Sequence, residues 1–157
     1  MRIINILMIT IFFSSCSKDG ATEPPSKESL AEKLVGVWRQ TKATYTDSNG
    51  NAITSAEGCS LNNELGFSQD GSYRADDYEG DNINECYHSI FEGAWRAETD
   101  LDNPDTNIKI KNDKLDGQNY QDDWDYAKVI LSGNNKMKLT YKDSNGSSST
   151  YEHDRIQ

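Results

Sequence analysis

The sequence predicts an all-β domain: an eight-stranded antiparallel up-and-down barrel with a short helix at its N-terminal side. Three observations predict it. Beyond position 34, eight runs of residues alternate apolar and polar side chains at the two-residue period of a strand. Short turn-forming segments join them, among them Asp70-Gly71, Gly133-Asn134-Asn135 and Ser144-Asn145-Gly146. No helical period of useful length falls between the runs. Sequential hairpins favour a meander over crossover connections, and closing eight strands into a ring removes their exposed edges.

Met1 to Ser15 holds one charge, Arg2, then an apolar run from Ile3 to Phe13 broken only by Asn5 and Thr10, then Ser14-Ser15. That is the plan of a secretory signal peptide. The run falls well short of the ~20 apolar residues a transmembrane helix needs. Cys16 follows directly, and the arrangement resembles the lipobox of bacterial lipoproteins, with Phe13 where leucine is commonest. The resemblance implies cleavage between Ser15 and Cys16 and a diacylglycerol on the Cys16 thiol. Residues 16–28 then form a lipidated tether, in which Pro24-Pro25 makes an extended spacer. Ser17-Lys18-Asp19-Gly20 is similar to the export signals of Bacteroidetes-type lipoproteins. That implies an outer-membrane lipoprotein on the cell surface or the periplasmic face, held by acyl chains rather than by charge.

The domain occupies residues 29–157, enough for one domain. Ser29-Leu30-Ala31-Glu32 fits the S-x-x-E capping box and predicts a helix of one to two turns over about Lys27 to Lys33. The first strand-like run is Leu34 to Tyr45, which carries Gln40, Lys42 and Thr44 on the parity of Trp38, so the interior is not wholly apolar. Leu61, Asn63, Leu65 and Phe67 share one parity of the second run. Asp70-Gly71 turns it into Ser72 to Tyr78, with Tyr73 and Ala75 on one side. Ser89 to Ala97 sets Phe91, Gly93 and Trp95 together, and Asn107 to Lys111 pairs Ile108 with Ile110. Tyr126 to Leu131, Lys136 to Lys142 and Ser149 to Ile156 complete the eight.

The formal net charge is −10 at pH 7, and Arg2 is the only charge in the signal, so the exported part is more acidic still. An acidic surface disfavours nucleic acid and anionic lipid as partners. The hydrophobic share is only 34%, so the core relies on aromatic rings, with eight Tyr and three Trp available.

Gly36-x-Trp38 on the first strand after a short helix resembles the opening signature of the lipocalins. The ordered set is similar to the lipocalin-like lipoproteins of the Bacteroidetes type. It comprises Leu34-Val35-Gly36-Val37-Trp38, Cys59, the hairpin Phe67-Ser68-Gln69-Asp70-Gly71-Ser72-Tyr73, Cys86 and Gly93-Ala94-Trp95. The resemblance implies that Trp38 plugs the closed end of a barrel whose open end admits a ligand. With Cys16 acylated, Cys59 and Cys86 are an even pair in an exported protein, where disulfides form and persist. A metal site on that pair would need two further ligands, and His88 and His153 have no suitable spacing to either cysteine. No metal and no cofactor is expected.

Carboxylates gather at Asp76-Asp77 with Glu79 and Asp81, at Asp100 to Asp105, and at Asp122-Asp123 with Asp125, all in expected loops. They read as solvated loops; calcium is the alternative, although the Asp100 to Asp105 segment lacks EF-hand spacing. There is no G-x-S-x-G elbow, phosphate-binding glycine loop or H-E-x-x-H, so no enzyme is expected. Two readings remain: a monomeric binding barrel for a small, partly polar or hydrophobic ligand, with Phe91, Trp95 and Tyr141 on the pocket wall, or a filled barrel acting as a structural or interaction lipoprotein of the envelope.

Overall fold

The computed structural model describes residues 29–55, 58–80, 85–98, 106–120 and 122–157. The expected signal, Cys16 and tether, together with Asp81 and the segment Asp100 to Asp105, lie outside the described residues.

Helix α1 (Leu30–Leu34) is a single turn with Ser29 as its N-cap. The Ser29 hydroxyl accepts from the Glu32 amide at 3.2 Å, and the Glu32 carboxylate accepts from the Ser29 amide at 2.7 Å. A turn this short does not persist alone. It is held because Leu34 is fully buried and Leu30 and Ala31 pack on the core.

Ten strands follow: β1 (Gly36–Thr46), β2 (Ala52–Ser55), β3 (Glu64–Phe67), β4 (Ser72–Glu79), β5 (Tyr87–Arg96), β6 (Ile108–Leu115), β7 (Gln118–Asn119), β8 (Asp125–Ser132), β9 (Lys136–Lys142) and β10 (Ser148–Arg155). Eight of them form a closed antiparallel ring in the order β1-β3-β4-β5-β6-β8-β9-β10, and β10 returns to β1 from Trp38↔Arg155 to Thr46↔Ser148. The fold is therefore the eight-stranded up-and-down barrel with a short helix that the alternation implied. The two extra strands were not anticipated. β3 pairs with the first part of β1 and β2 with the last, on the same edge, with a 3-10 turn at Gly58–Asn62 between them. The two-residue β7 only extends the pairing of β6.

One end of the barrel is closed. The start of β1 and the end of β10 meet α1 there, beside the turn at 68–71. Trp38, Phe67, Trp95, Ile108 and Met137 fill it, none more than 5% exposed. The Phe67 ring lies 5.2 Å from Trp95, edge to face. Two glycines let the backbones approach. Gly36 has φ +141°, and a Cβ there would sit 2.5 Å from the Gln157 carbonyl oxygen. At Gly93 a Cβ would fall 1.9 Å from the Lys111 carbonyl oxygen, where a bulge between Glu92 and Gly93 folds β5 onto β6. Both glycines of the two G-x-W runs thus stand where any side chain would collide.

The inward parity expected of Lys42 and Thr44 is corrected by a second bulge. Between Gln40 and Lys42 the register of β1 on β10 shifts by one residue, so Lys42 and Thr44 stand opposite Glu152 and Thr150 on the outer face. Lys42 Nζ lies 3.5 Å from the Glu152 carboxylate in an exposed pair. Gln40, before the bulge, stays inside and is 5% exposed.

Candidate functional site

Beyond the packed layer the barrel interior is not filled. A cavity of 330 Å³ remains, and its wall is part polar and part aromatic. The rings are Tyr73, Phe91, Tyr141 and Tyr151; Leu65 and Leu139 add aliphatic surface. The polar residues on the wall are Gln40, Asn63, Asp76, Asp77, Asn112 and His153.

The pleat of β4 puts Asp77 in this wall. Tyr73, Ala75 and Asp77 share the inner face, while Arg74 and Asp76 point out. Asp76 is engaged there by Arg74 at 2.7 and 2.8 Å and by His88 at 2.9 Å. Asp77 is held by Asn63, whose Nδ2 donates to Asp77 Oδ1. Asn63 is fixed in turn: its Oδ1 accepts from the Tyr78 amide at 2.7 Å and its carbonyl from the Gln40 amide at 2.8 Å. Burial pushes the Asp77 carboxyl above its ordinary pKa, and the charge of Glu79 adds to this.

The support beneath Asn63 is covalent. Cys59, in the 3-10 turn, is bonded to Cys86 just before β5, and the Cys59 amide donates to the Gly80 carbonyl at 3.2 Å. A Cβ on Gly80 would lie 3.2 Å from Cys59 Sγ, at φ +133°. The turn, the end of β4 and the start of β5 are therefore clamped together at the open end.

His153 is 3% exposed, and its Nδ1 has no hydrogen-bond partner among the described residues. Burial pulls its pKa down from 6.5 to about 4, so the ring is neutral at physiological pH. Tyr73 and Tyr141 are pushed above the ordinary phenol range, first by burial and then by neighbouring negative charge, with Asp125 common to both. At the rim Asp125 is itself raised by burial and by Asp122 and Asp123.

The sequence-predicted residues divide between the two ends. Phe91 and Tyr141 lie on the cavity wall. Trp95 does not. β5 runs from the open end to the closed end, so four residues past Phe91 the same inner face has reached the packed layer. There the Trp95 indole donates to the Ser68 carbonyl at 3.0 Å. Trp38 sits in the closed end, fully buried. Its indole donates to the Leu34 carbonyl at 2.8 Å, and the Arg155 guanidinium lies 4.3 Å from its ring centroid. Arg155 also donates to the carbonyls of Val35, at 2.9 Å, and Lys33. Cys59 and Cys86 form a disulfide; Cys16 lies outside the described residues.

Sequence reasoning missed Asp77, Asn112, Tyr151 and His153 as wall residues. Asp76 and Asp77 lie on β4, within the expected strand Ser72 to Tyr78, although their carboxylates were read as part of a solvated loop cluster; Asp125, read in the same way, opens β8. What their polarity disguised was that Asp77 faces inward. A second hollow, on the outer face, is lined by Arg74, Glu92 and Lys114, with Glu92 paired to Arg74 at 3.8 Å and to Lys114 at 3.9 Å. Among the described residues no group of three or more His, Cys, Asp or Glu side chains is arranged to hold a metal ion.

No family model matches the sequence, and no curated protein does. Among solved structures the chain is similar to a redesigned β-barrel, at 15% identity over 81% of this chain and 95% of that one, with a TM-score of 0.41. It is similar to a de novo designed fluorescence-activating β-barrel, at 10% identity over 83% and 100%, with a TM-score of 0.42. A deswapped triple mutant of bovine odorant-binding protein matches at 13% identity over 79% and 74%, with a TM-score of 0.39.

Proposed function

We propose that the protein is a lipid-anchored, lipocalin-like binding protein of the cell envelope whose barrel takes a small, partly polar ligand. The observation that carries the reading is the unfilled 330 Å³ between the packed end and the rim, walled by rings and by polar groups that converge on it. That volume is within the range of small-molecule sites, and a mostly preformed concavity with a few convergent polar groups is the usual form of one. The anchor and the envelope location rest on Met1 to Cys16 alone. The alternative, a filled barrel that serves only as an interaction lipoprotein, is disfavoured by the same empty volume.

Catalysis is not proposed. Asp77, His153 and the tyrosines do converge in the wall, but among the described residues no hydrogen bond joins any two of these side chains as a nucleophile and its base would be joined. Native mass spectrometry of the protein purified from the envelope of its source tests the binding reading. The expected result is a reproducible extra mass that denaturation releases. Repeated recovery of the bare polypeptide with its anchor would move the reading to the filled barrel.

A further inference from the structure

We infer that the cavity takes a small organic cation, a primary amine carrying a ring or short chain, with the Asp77 carboxylate as its anchor. The inference rests on the binding reading above and names the ligand's chemistry. It starts from an imbalance of charge. Among the described residues the cavity wall includes Asp77 but no lysine or arginine. Arg74 is turned to the outer face, where Asp76 and Glu92 engage it, and Arg155 lies over Trp38 in the closed end. Asp77 is held by neutral groups alone, the side-chain amide of Asn63 on Oδ1 and the backbone amide of Tyr78, and no cation pairs with it among the described residues.

A partly buried carboxylate with a neutral partner is costly, and an incoming ammonium relieves that cost directly. An ammonium brings three donors and no acceptor. Side chains that carry acceptors line the wall: Asp77, Gln40 and the three tyrosines. His153 lines the same wall with a buried Nδ1 that has no hydrogen-bond partner among the described residues, and being neutral the ring does not repel a cation. Tyr73, Phe91, Tyr141 and Tyr151 add four rings to the wall, and the face of an aromatic ring attracts a cation through its quadrupole. At the rim Glu79, Asp122, Asp123 and Asp125 continue the same sign, and the whole chain carries −10. A field of that sign concentrates cations at the mouth and repels carboxylates and phosphates.

Calorimetric titration of the full exported chain with three probes of one shape tests the inference. Tyramine carries the ammonium, 4-ethylphenol is its neutral counterpart, and 4-hydroxyphenylacetate carries the opposite charge. Tyramine is expected to bind about tenfold to a hundredfold more tightly than 4-ethylphenol, as one charge-assisted hydrogen bond would give, and the anion most weakly. D77N should abolish the preference for tyramine while leaving the affinity for 4-ethylphenol in place, which also reports that the variant is folded. Should D77N not fold, the ranking of the three probes on the native chain decides. Equal affinities, or a preference for the anion, overturn the cation inference and leave a binding barrel of another specificity. Failure of all three to bind at millimolar concentration overturns the cation inference alone, because the binding reading stands or falls by the retained mass in native mass spectrometry.

Discussion

The two ends of the barrel are built from the same alternating strands and differ in what the inward positions hold. At the closed end Trp38, Phe67 and Trp95 interlock, and polar edges are used internally: one indole on Leu34, the other on Ser68, and the two terminal nitrogens of Arg155 on Val35 and Lys33. At the open end the inward residues are Asp77, Asn63, Gln40 and His153, set around empty space and braced from outside by a disulfide. Hydrophobic burial does the stabilising at one end. At the other a covalent clamp and a hydrogen-bond network hold polar groups that a packed core would not tolerate. The comparison teaches that stability and recognition are divided along the barrel axis.

The largest effect that can break this division belongs to Trp95. Trp95→Ala removes a ring packed on Phe67 and leaves the Ser68 carbonyl without its donor. A loss of about 3–5 kcal/mol in urea denaturation is expected. A loss under about 1 kcal/mol would mean that the closed end is not the stabilising half.

Next comes the clamp. Cys59 and Cys86 are 27 residues apart in sequence, and a closed loop of that length is worth about 3 kcal/mol on the chain-entropy model. The double variant Cys59→Ser with Cys86→Ser should lose a comparable amount. Hydrogen exchange should show the loss first around residues 58–64 and 85–90, with β1 and β10 near Trp38 protected as before. Uniform deprotection of both ends would dissolve the distinction.

The closed end was the more legible in sequence, and the reason is physical. Its residues are apolar, so the period of two shows them: Phe67 with Leu65, Trp95 with Phe91, Ile108 with Ile110. Gly36 and Trp38 were legible because a missing Cβ and a large ring leave a pattern that substitution would spoil. Ser29 and Glu32 announced the helix, which begins at Leu30 rather than near Lys27. The open end hid because its inward residues are polar. Asp77 fell inside the expected strand Ser72 to Tyr78 but its carboxylate was read with a solvated cluster, and β6 was expected to stop at Lys111 although it continues through Asn112, which lines the cavity. His153 shares its parity with Tyr151, a signal present but unread. The four-residue β2 offers one large apolar side chain, Ile53, and that is exposed, so burial left no mark on it. No alternation reveals a bulge, which is why Lys42 and Thr44 were assigned to the wrong face.

His153 sharpens the comparison through pH. Its folded pKa, about 4, lies below the ordinary 6.5 because burial disfavours the charged ring. As pH falls below 6.5 the unfolded chain takes up a proton that the folded chain refuses, so stability declines toward pH 4. The slope approaches about 1.4 kcal/mol per pH unit at its steepest. Asp77, whose pKa is raised, works in the opposite sense as it binds its own proton, so the measurement belongs between pH 6.5 and 5. Stability of the native chain and of His153→Gln, compared across that window, should differ in slope. Parallel curves would place the His153 ring in contact with water.

The smallest effect gives the most direct reading, because it lies on the same strand and face as the largest. Phe91 is four residues from Trp95 and also points inward, but it borders the cavity and meets Tyr120 edge to face at 6.4 Å. Truncating a side chain beside existing empty space creates little new void, and solvent from the open end can occupy what is vacated. Phe91→Ala should therefore cost about 1–2 kcal/mol, well below the range for a packed ring, while weakening tyramine and 4-ethylphenol alike by removing a wall they share. If instead it destabilises the fold as much as Trp95→Ala does, the upper barrel is packed more like the lower, and the empty volume closes around whatever side chains it has.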